Sequence, residues 1–382
     1  MALDAGPDVC VLLTPHAMGG HEIALFAWLA DAVRDAGLRP LIVAPGAALV
    51  QACAAAGLTA FCQALPASAG ASASRGSRRS VLAALWRWPT HKPLLLAPGV
   101  LHASAWLLAA ALLLGRRVWV YVPMAYSAAQ MGFRAATWRD HALAPWLRRV
   151  ESFITLDRRQ AALLASTWRL TTEVHLLPNP PRPVASRAAL PASAAEGRLR
   201  IAYVGRLELH QKGLDWLIAL LRSRVPWSQQ CHWLFQGRGP AESALHALAS
   251  ELGPDHVVVF PHAPIADALA QADVLLLASR FEGQPLVAME ATAHGWPVVA
   301  TRGSGVADFV PATSLFDFGD AEGLRCVLHT LWTQQARTDA VRQAQQALQA
   351  MDLAGAYSHA LHGLCHALKS QPMPTAAGPA TR

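Results

Sequence analysis

Short, nearly unbroken apolar runs recur along the chain, each followed by a stretch long enough for a helix. The first set is Val9–Pro15, Pro40–Pro45, Leu58–Leu65, Pro93–Pro98, Val118–Pro123 and Phe153–Asp157. None alternates polar with apolar residues, which marks strands covered by helices on both faces. Glu22–Ala36 and Arg159–Trp168 have helical length and patterning. The rhythm stops at Pro178–Gly197, where five prolines among small residues suit neither helix nor strand. It resumes with Leu199–Gly205, Cys231–Gly237, His256–Pro261, Asp273–Ser279, Pro297–Thr301 and Ser314–Phe318. Two such arrays predict an α/β protein of two doubly wound, Rossmann-like domains facing each other across a cleft. The expected division is an N-terminal domain at 1–180, a linker at 181–198 and a second domain at 199–354. A helix packing back on the body follows at 355–370, and a disordered tail at 371–382.

Composition agrees with this reading. The chain has 382 residues, more than one core usually serves. At 53% hydrophobic and 15% charged it is a well-buried globular protein, not a disordered one. Six scattered cysteines without a C-x-x-C pair suit a reducing compartment. The acidic start, MALDAGPDVC, lacks the layout of a signal peptide, so the expected location is cytoplasmic. Leu101–Leu114 is strongly apolar but shorter than the about 20 residues a spanning helix needs, and reads as a buried helix.

Charge adds one asymmetry. The net charge is +7, and residues 1–180 hold all of the excess, with 16 Lys and Arg against 9 Asp and Glu. Ser72–Ser80 reads as a flexible basic loop, and Trp86, Trp88 and Trp106 are suited to a water–lipid boundary. The half can therefore attract an anionic membrane surface or a phosphorylated substrate. Ordinary solubility charge accounts for the excess nearly as well.

The candidate chemistry lies mostly in the second half. In Ser279–Val310 a strand ends and a helix begins near Gln284, Pro285 and Leu286. Pro285 suits a first helical turn and Gly283 permits a close backbone approach. Free N–H groups at that helix start are a ready site for a diphosphate. Glu282, just before it, can accept sugar hydroxyls, and Glu290, inside it, can accept both hydroxyls of a ribose. In Tyr203–Leu221, Arg206 and Lys212 bracket the loop after a strand and can neutralise a leaving diphosphate. Two solvated glutamates and two surface cations are the plain alternative. Gly19 and Gly20, in Thr14–Glu22, would let the backbone approach a ligand closely.

These segments resemble the donor-site motifs of the retaining GT-B glycosyltransferases that share an E-x7-E motif, here Glu282 and Glu290. The resemblance implies that Arg206 and Lys212 hold the donor phosphates, Glu290 the ribose and Glu282 the transferred sugar. Arg206, Lys212 and Glu282 are thus the candidate catalytic residues. Gly19, Gly20, Gly283, Gln284, Pro285 and Leu286 are expected to contact the donor. The implied activity moves a hexose from a nucleotide sugar to a glycan or lipid-linked acceptor with retention, in cell-surface polysaccharide or glycolipid synthesis. Peripheral association with the inner membrane face fits such an acceptor, and no nucleic acid partner is expected. Many members carry a histidine where this chain has Pro123 and Met124, and a glycine where it has Pro261 and His262. Candidate acceptor-side histidines are His16, His21 and His102.

No Asp-x-Asp occurs, so no cofactor or metal is expected. His359, His362, Cys365 and His366 have helical spacing and read as helix-packing groups rather than a metal site. A dinucleotide-dependent dehydrogenase would need G-x-G-x-x-G, which neither His16–Glu22 nor Gln236–Glu242 supplies. A non-catalytic binding or scaffold descendant is the remaining alternative.

Overall fold

Alternate residues of each strand enter separate apolar clusters, which is why the strand sequences show no polar face. In β1 (Val9–Leu13) the residues Val9, Val11 and Leu13 join one cluster, while Cys10 and Leu12 join another. β4 (Pro93–Ala97) divides in the same way, Leu95 and Ala97 from Leu94 and Leu96. Only a sheet sandwiched between helix layers asks this of its strands.

The computed structural model describes residues 6–13, 20–65, 81–83, 85–180 and 197–370. It divides into two units, Met1–Pro180 with Ala354–Arg382, and Pro181–Leu353. The expected linker up to residue 196, the basic loop Ser72–Ser80 and the tail from residue 371 lie outside the described residues.

The first unit holds a seven-stranded sheet in the order β3-β2-β1-β4-β5-β6-β7, with every pairing parallel. The other strands are β2 (Pro40–Pro45), β3 (Cys62–Leu65), β5 (Arg117–Tyr121), β6 (Ser152–Thr155) and β7 (Glu173–Leu176). Its helices are α1 (Gly20–Ala36), α2 (Ala47–Ala55), α3 (Ala105–Leu113), α4 (Ala136–Leu147) and α5 (Arg158–Trp168). The sheet grows outward from β1 in one direction and from β4 in the other, giving a topological switch point.

Several local readings change. The run Leu58–Leu65 begins as a helical turn, Thr59–Phe61, so β3 is short. Within Leu101–Leu114 a turn, Leu101–Ser104, precedes α3, which buries Leu107, Leu108, Ala111 and Leu112. Trp88 is buried and its Nε1 donates to the Lys92 carbonyl at 3.2 Å. It is therefore a core group, not a boundary group, while Trp86 is 72% exposed.

The final helix, α12 (Leu353–Lys369), packs Tyr357, Leu361, Leu364, Cys365 and Leu368 into the first unit. The Tyr357 hydroxyl donates to Asp31 Oδ2 at 2.6 Å, and Lys369 Nζ to the Ala36 carbonyl at 2.6 Å. His359, His362 and His366 are exposed, so they do not pack this helix as the sequence suggested. The apolar positions at i, i+4, i+7 and i+8 do that instead.

The second unit has six parallel strands in the order β10-β9-β8-β11-β12-β13. They are β8 (Leu199–Val204), β9 (Cys231–Gln236), β10 (Val257–Phe260), β11 (Val274–Leu277), β12 (Val298–Thr301) and β13 (Leu315–Phe316). The helices are α6 (Leu214–Arg222), α7 (Glu242–Leu252), α8 (Ile265–Leu269), α9 (Leu286–His294), α10 (Ala321–Thr330) and α11 (Gln334–Ala350). Here the switch point falls between β8 and β11, so the loops leaving these two strands are neighbours.

Candidate functional site

The loop after β8 carries Arg206 and Lys212, and one carboxylate shapes it. Glu208 accepts from the backbone N–H of His210 at 3.1 Å, of Gln211 at 2.5 Å and of Lys212 at 3.3 Å. Glycine then decides how closely the loop can lie against β11. Gly213 has φ +69°, and a Cβ there would stand 2.0 Å from the Ala278 carbonyl oxygen. On the other side, a Cβ on Gly237 would stand 1.8 Å from the Gly205 carbonyl. The G-x-G of Gln236–Glu242 therefore serves close packing of one loop on another.

The loop after β11 meets this one. Glu282, only 7% exposed, accepts through Oε1 from Lys212 Nζ, 70 residues away in sequence. The same oxygen accepts from Ser279 Oγ at 2.9 Å. Arg280 fastens the two loops together: its amide donates to the Gln211 carbonyl at 2.8 Å. Its guanidinium holds Asp215 in a two-pronged pair at 2.7 and 2.9 Å and lies over the Phe318 ring at 4.2 Å. Burial pushes the Asp215 carboxyl up, but Arg280 holds it below its ordinary value. Behind the loop, Thr301 Oγ1 donates to the Ser279 carbonyl and meets Ser304 Oγ at 2.7 Å.

Arg206 is exposed, and its Nη2 donates to Gln211 Oε1 at 2.8 Å. The Tyr203 hydroxyl donates to the Arg206 carbonyl at 3.2 Å. Burial, and then the nearby charges of Glu282 and Glu208, push that phenol well above its ordinary value.

The helix beside Glu282 is α9. It begins at Leu286 after Pro285, no side chain caps it, and Gly295 at φ +88° closes it. Its first turn follows Glu282 by four residues in sequence, and Glu282 in turn holds the Lys212 ammonium. Gly283 and Gln284 lie in the connection, and Glu290 is half-buried on α9 itself. Lys212 and Glu282 meet just ahead of α9 in the sequence, and Arg206 is bonded to Gln211 of the same loop as Lys212. Sequence reasoning did not single out Ser279, Arg280, Asp215, Gln211 or Glu208, although the last lies four residues before Lys212.

The remaining candidates belong to the first unit. Gly19 and His16 lie outside the described residues, and Gly20 opens α1. His21 stacks on Tyr121 at 5.1 Å, and burial pushes its imidazole down to about 4. His102 Nε2 contacts Asp140 Oδ1 at 2.8 Å. Burial lowers His102 in spite of that carboxylate. Among the described residues no group of three or more His, Cys, Asp or Glu could hold a metal ion. No helix among them is long and apolar enough to cross a membrane.

The fold is GT-B. HepE of Anabaena, solved with UDP-glucose, superposes with a TM-score of 0.69 at 16% identity over 94% of this chain and 99% of that one. Sucrose-phosphate synthase from Thermosynechococcus elongatus gives 0.65 at 17% identity, over 94% and 99%.

Residues 198–334, which contain the whole β8 to α9 constellation, match the family described as Glycosyl transferases group 1. A sulfoquinovosyl transferase of Arabidopsis thaliana is 29% identical over 153 residues, 37% of this chain and 29% of its own. A D-inositol 3-phosphate glycosyltransferase of Arthrobacter sp. (strain FB24) is 40% identical over 130 residues, 32% of this chain and 30% of its own. The match thus spans less than a third of the length of either curated relative.

Proposed function

We propose that this chain is a retaining hexosyltransferase that uses a nucleoside-diphosphate sugar. The observation that carries the reading is the meeting of Lys212 and Glu282 beside the uncapped start of α9. A cation and a carboxylate that can accept hydroxyls lie just ahead of a helix start, the arrangement this reading needs. The donor diphosphate would lie on the α9 start, contacted by Gly283, Gln284, Pro285 and Leu286, with Arg206 and Lys212 opposing its charge. Glu282 would accept the sugar's hydroxyls and Glu290 the ribose diol. Gly19 and Gly20 keep the role that the resemblance implies.

In the transfer step the bond from the anomeric carbon to the phosphate oxygen breaks and the acceptor oxygen bonds on the same face. The leaving phosphate takes the acceptor's proton, so no metal and no enzymic base is needed. HepE has been solved with UDP and with UDP-glucose, which supports a nucleotide-sugar donor. The acceptor in this reading is a glycan or a lipid-linked sugar for a cell-surface polysaccharide or glycolipid.

Incubation with a panel of UDP-, GDP- and ADP-sugars tests the proposal, reading binding by thermal shift and turnover by nucleotide release. Turnover that Lys212→Ala slows by about 10²–10³ supports it. Donor binding without turnover or transfer to any glycan or lipid-linked acceptor would favour the non-catalytic scaffold, and no binding would sink both readings.

A further inference from the structure

A cavity apart from the candidate site lies wholly in the first unit. It opens between α4 and the end of α5, has a volume of about 370 Å³, and falls within the roughly 300–1,000 Å³ typical of small-ligand sites.

Two arginines line it. Arg148 follows the last turn of α4, and Arg169 closes α5. Neither guanidinium has an ion pair or hydrogen-bond partner among the described residues. Arg169 sits at φ 52°, ψ 46°, the left-handed position that helix ends usually give to glycine. An arginine held there carries backbone strain, and its side chain is brought to the same cavity as Arg148.

The rest of the lining offers donors over a fixed apolar floor. Ser127 Oγ accepts from the Gln130 amide at 3.1 Å, which leaves its O–H to donate. The Thr167 hydroxyl has no partner among the described residues. Trp168 is buried, its Nε1 fixed on the Ala125 carbonyl at 3.0 Å.

Asp140 also lines the cavity and opposes an anion, but its oxygens are already engaged. Oδ1 meets His102 Nε2 and accepts from the Ala128 amide, each at 2.8 Å, and Oδ2 accepts from the Ala129 amide at 3.2 Å. Against its one negative charge stand two guanidinium charges, so the cavity is net positive.

We propose that this cavity binds a phosphate group, with Arg148 and Arg169 gripping the oxygens and the ligand's organic part lying on Trp168. Guanidinium groups match phosphate oxygens with paired, charge-assisted hydrogen bonds. The phosphate belongs either to a soluble phosphomonoester or to a lipid headgroup. The site is independent of the donor reading, because none of its residues belongs to the second unit.

The test uses the full chain carrying Arg206→Ala and Lys212→Ala, so that phosphate cannot bind through those cations. Calorimetry with glycerol 3-phosphate and co-sedimentation with phosphatidic acid vesicles, against phosphatidylcholine vesicles, supply the two arms. Adding Arg148→Gln and Arg169→Gln should weaken binding about tenfold or more, while Arg342→Gln on α11 should leave it unchanged. If that variant melts early, Arg169→Gly, which suits the left-handed backbone, should still weaken binding several-fold. Binding of glycerol 3-phosphate in solution assigns a soluble ligand; binding only to phosphatidic acid vesicles, lost with the arginines, assigns a headgroup. No binding in either arm, or binding that survives loss of both arginines, overturns the proposal.

Discussion

Lys212 and Glu282 form an ion pair and neutralise each other. On the proposed reading a donor separates them, drawing the ammonium to phosphate and the carboxylate to sugar hydroxyls. Glu282→Gln should therefore raise affinity for a nucleoside diphosphate alone while lowering the rate of sugar transfer. Calorimetry with UDP beside turnover with UDP-sugars reads both, and unchanged UDP affinity would count against the competition. Glu290→Ala should weaken nucleotide binding by about 1–3 kcal/mol, the loss of a paired acceptor. His21 sets a different dependence. Unfolded, it takes a proton near 6.5; folded, only near 4. Between those values the unfolded state holds the extra proton, so stability is full above about 6.5 and falls as pH drops toward 4. Thermal melts across that range should show the loss in the wild type and a shallower slope in His21→Phe.

At the level of elements, the strands were legible because burial on both faces leaves continuous apolar runs. β7 was not, because it is an edge strand whose Glu173 is exposed and whose His175 is only half-buried. The start of α9 was legible from Gly283 and Pro285, since both mark a strand-to-helix turn. The Lys212–Glu282 contact was not, because 70 residues separate the pair and only the adjacency of β8 and β11 brings their loops together. Glu208 was missed because a loop glutamate looks like a solvated charge until its three amide contacts are known. Gly213 gives the sharpest test of how the loops are set. Gly213→Ala puts a Cβ into the Ala278 carbonyl at a positive φ and should destabilise the fold by about 1–3 kcal/mol or more. An unchanged melting temperature would show that the loop can relax. Arg206→Ala should leave the melt nearly unchanged, whereas Lys212→Ala strips the buried Glu282 of its partner and should lower it; each should slow transfer by about 10²–10³, a larger effect than on the fold. Transfer should also persist in EDTA, and loss of activity on chelation would point to a metal in place of these cations.

At the scale of the whole molecule, charge is distributed unevenly. Residues 1–180 carry 16 Lys and Arg against 9 Asp and Glu, and so hold the entire net charge of +7. Large side chains are exposed in the same unit: Trp86 at 72%, Leu113 at 70% and Trp138 at 73%. Trp138 lies on α4 with Arg139, whose guanidinium stands 5.7 Å from the exposed Phe133 ring. Basic and aromatic groups side by side suit an anionic membrane surface, where the rings enter the headgroup region and the cations meet phosphate. The attachment proposed is reversible and mainly electrostatic. Exposed charges are screened beyond about 10 Å at roughly 0.1 M ionic strength, and salt should therefore release the protein. Liposomes containing anionic lipid should sediment the chain at low salt and lose it as salt rises, while neutral liposomes should leave it in solution. Replacing Trp138 and Arg139 together by alanine should shift the release to lower salt. If anionic vesicles fail to retain the chain even at low salt, the charge serves solubility, and a soluble acceptor takes the place of the lipid-linked one.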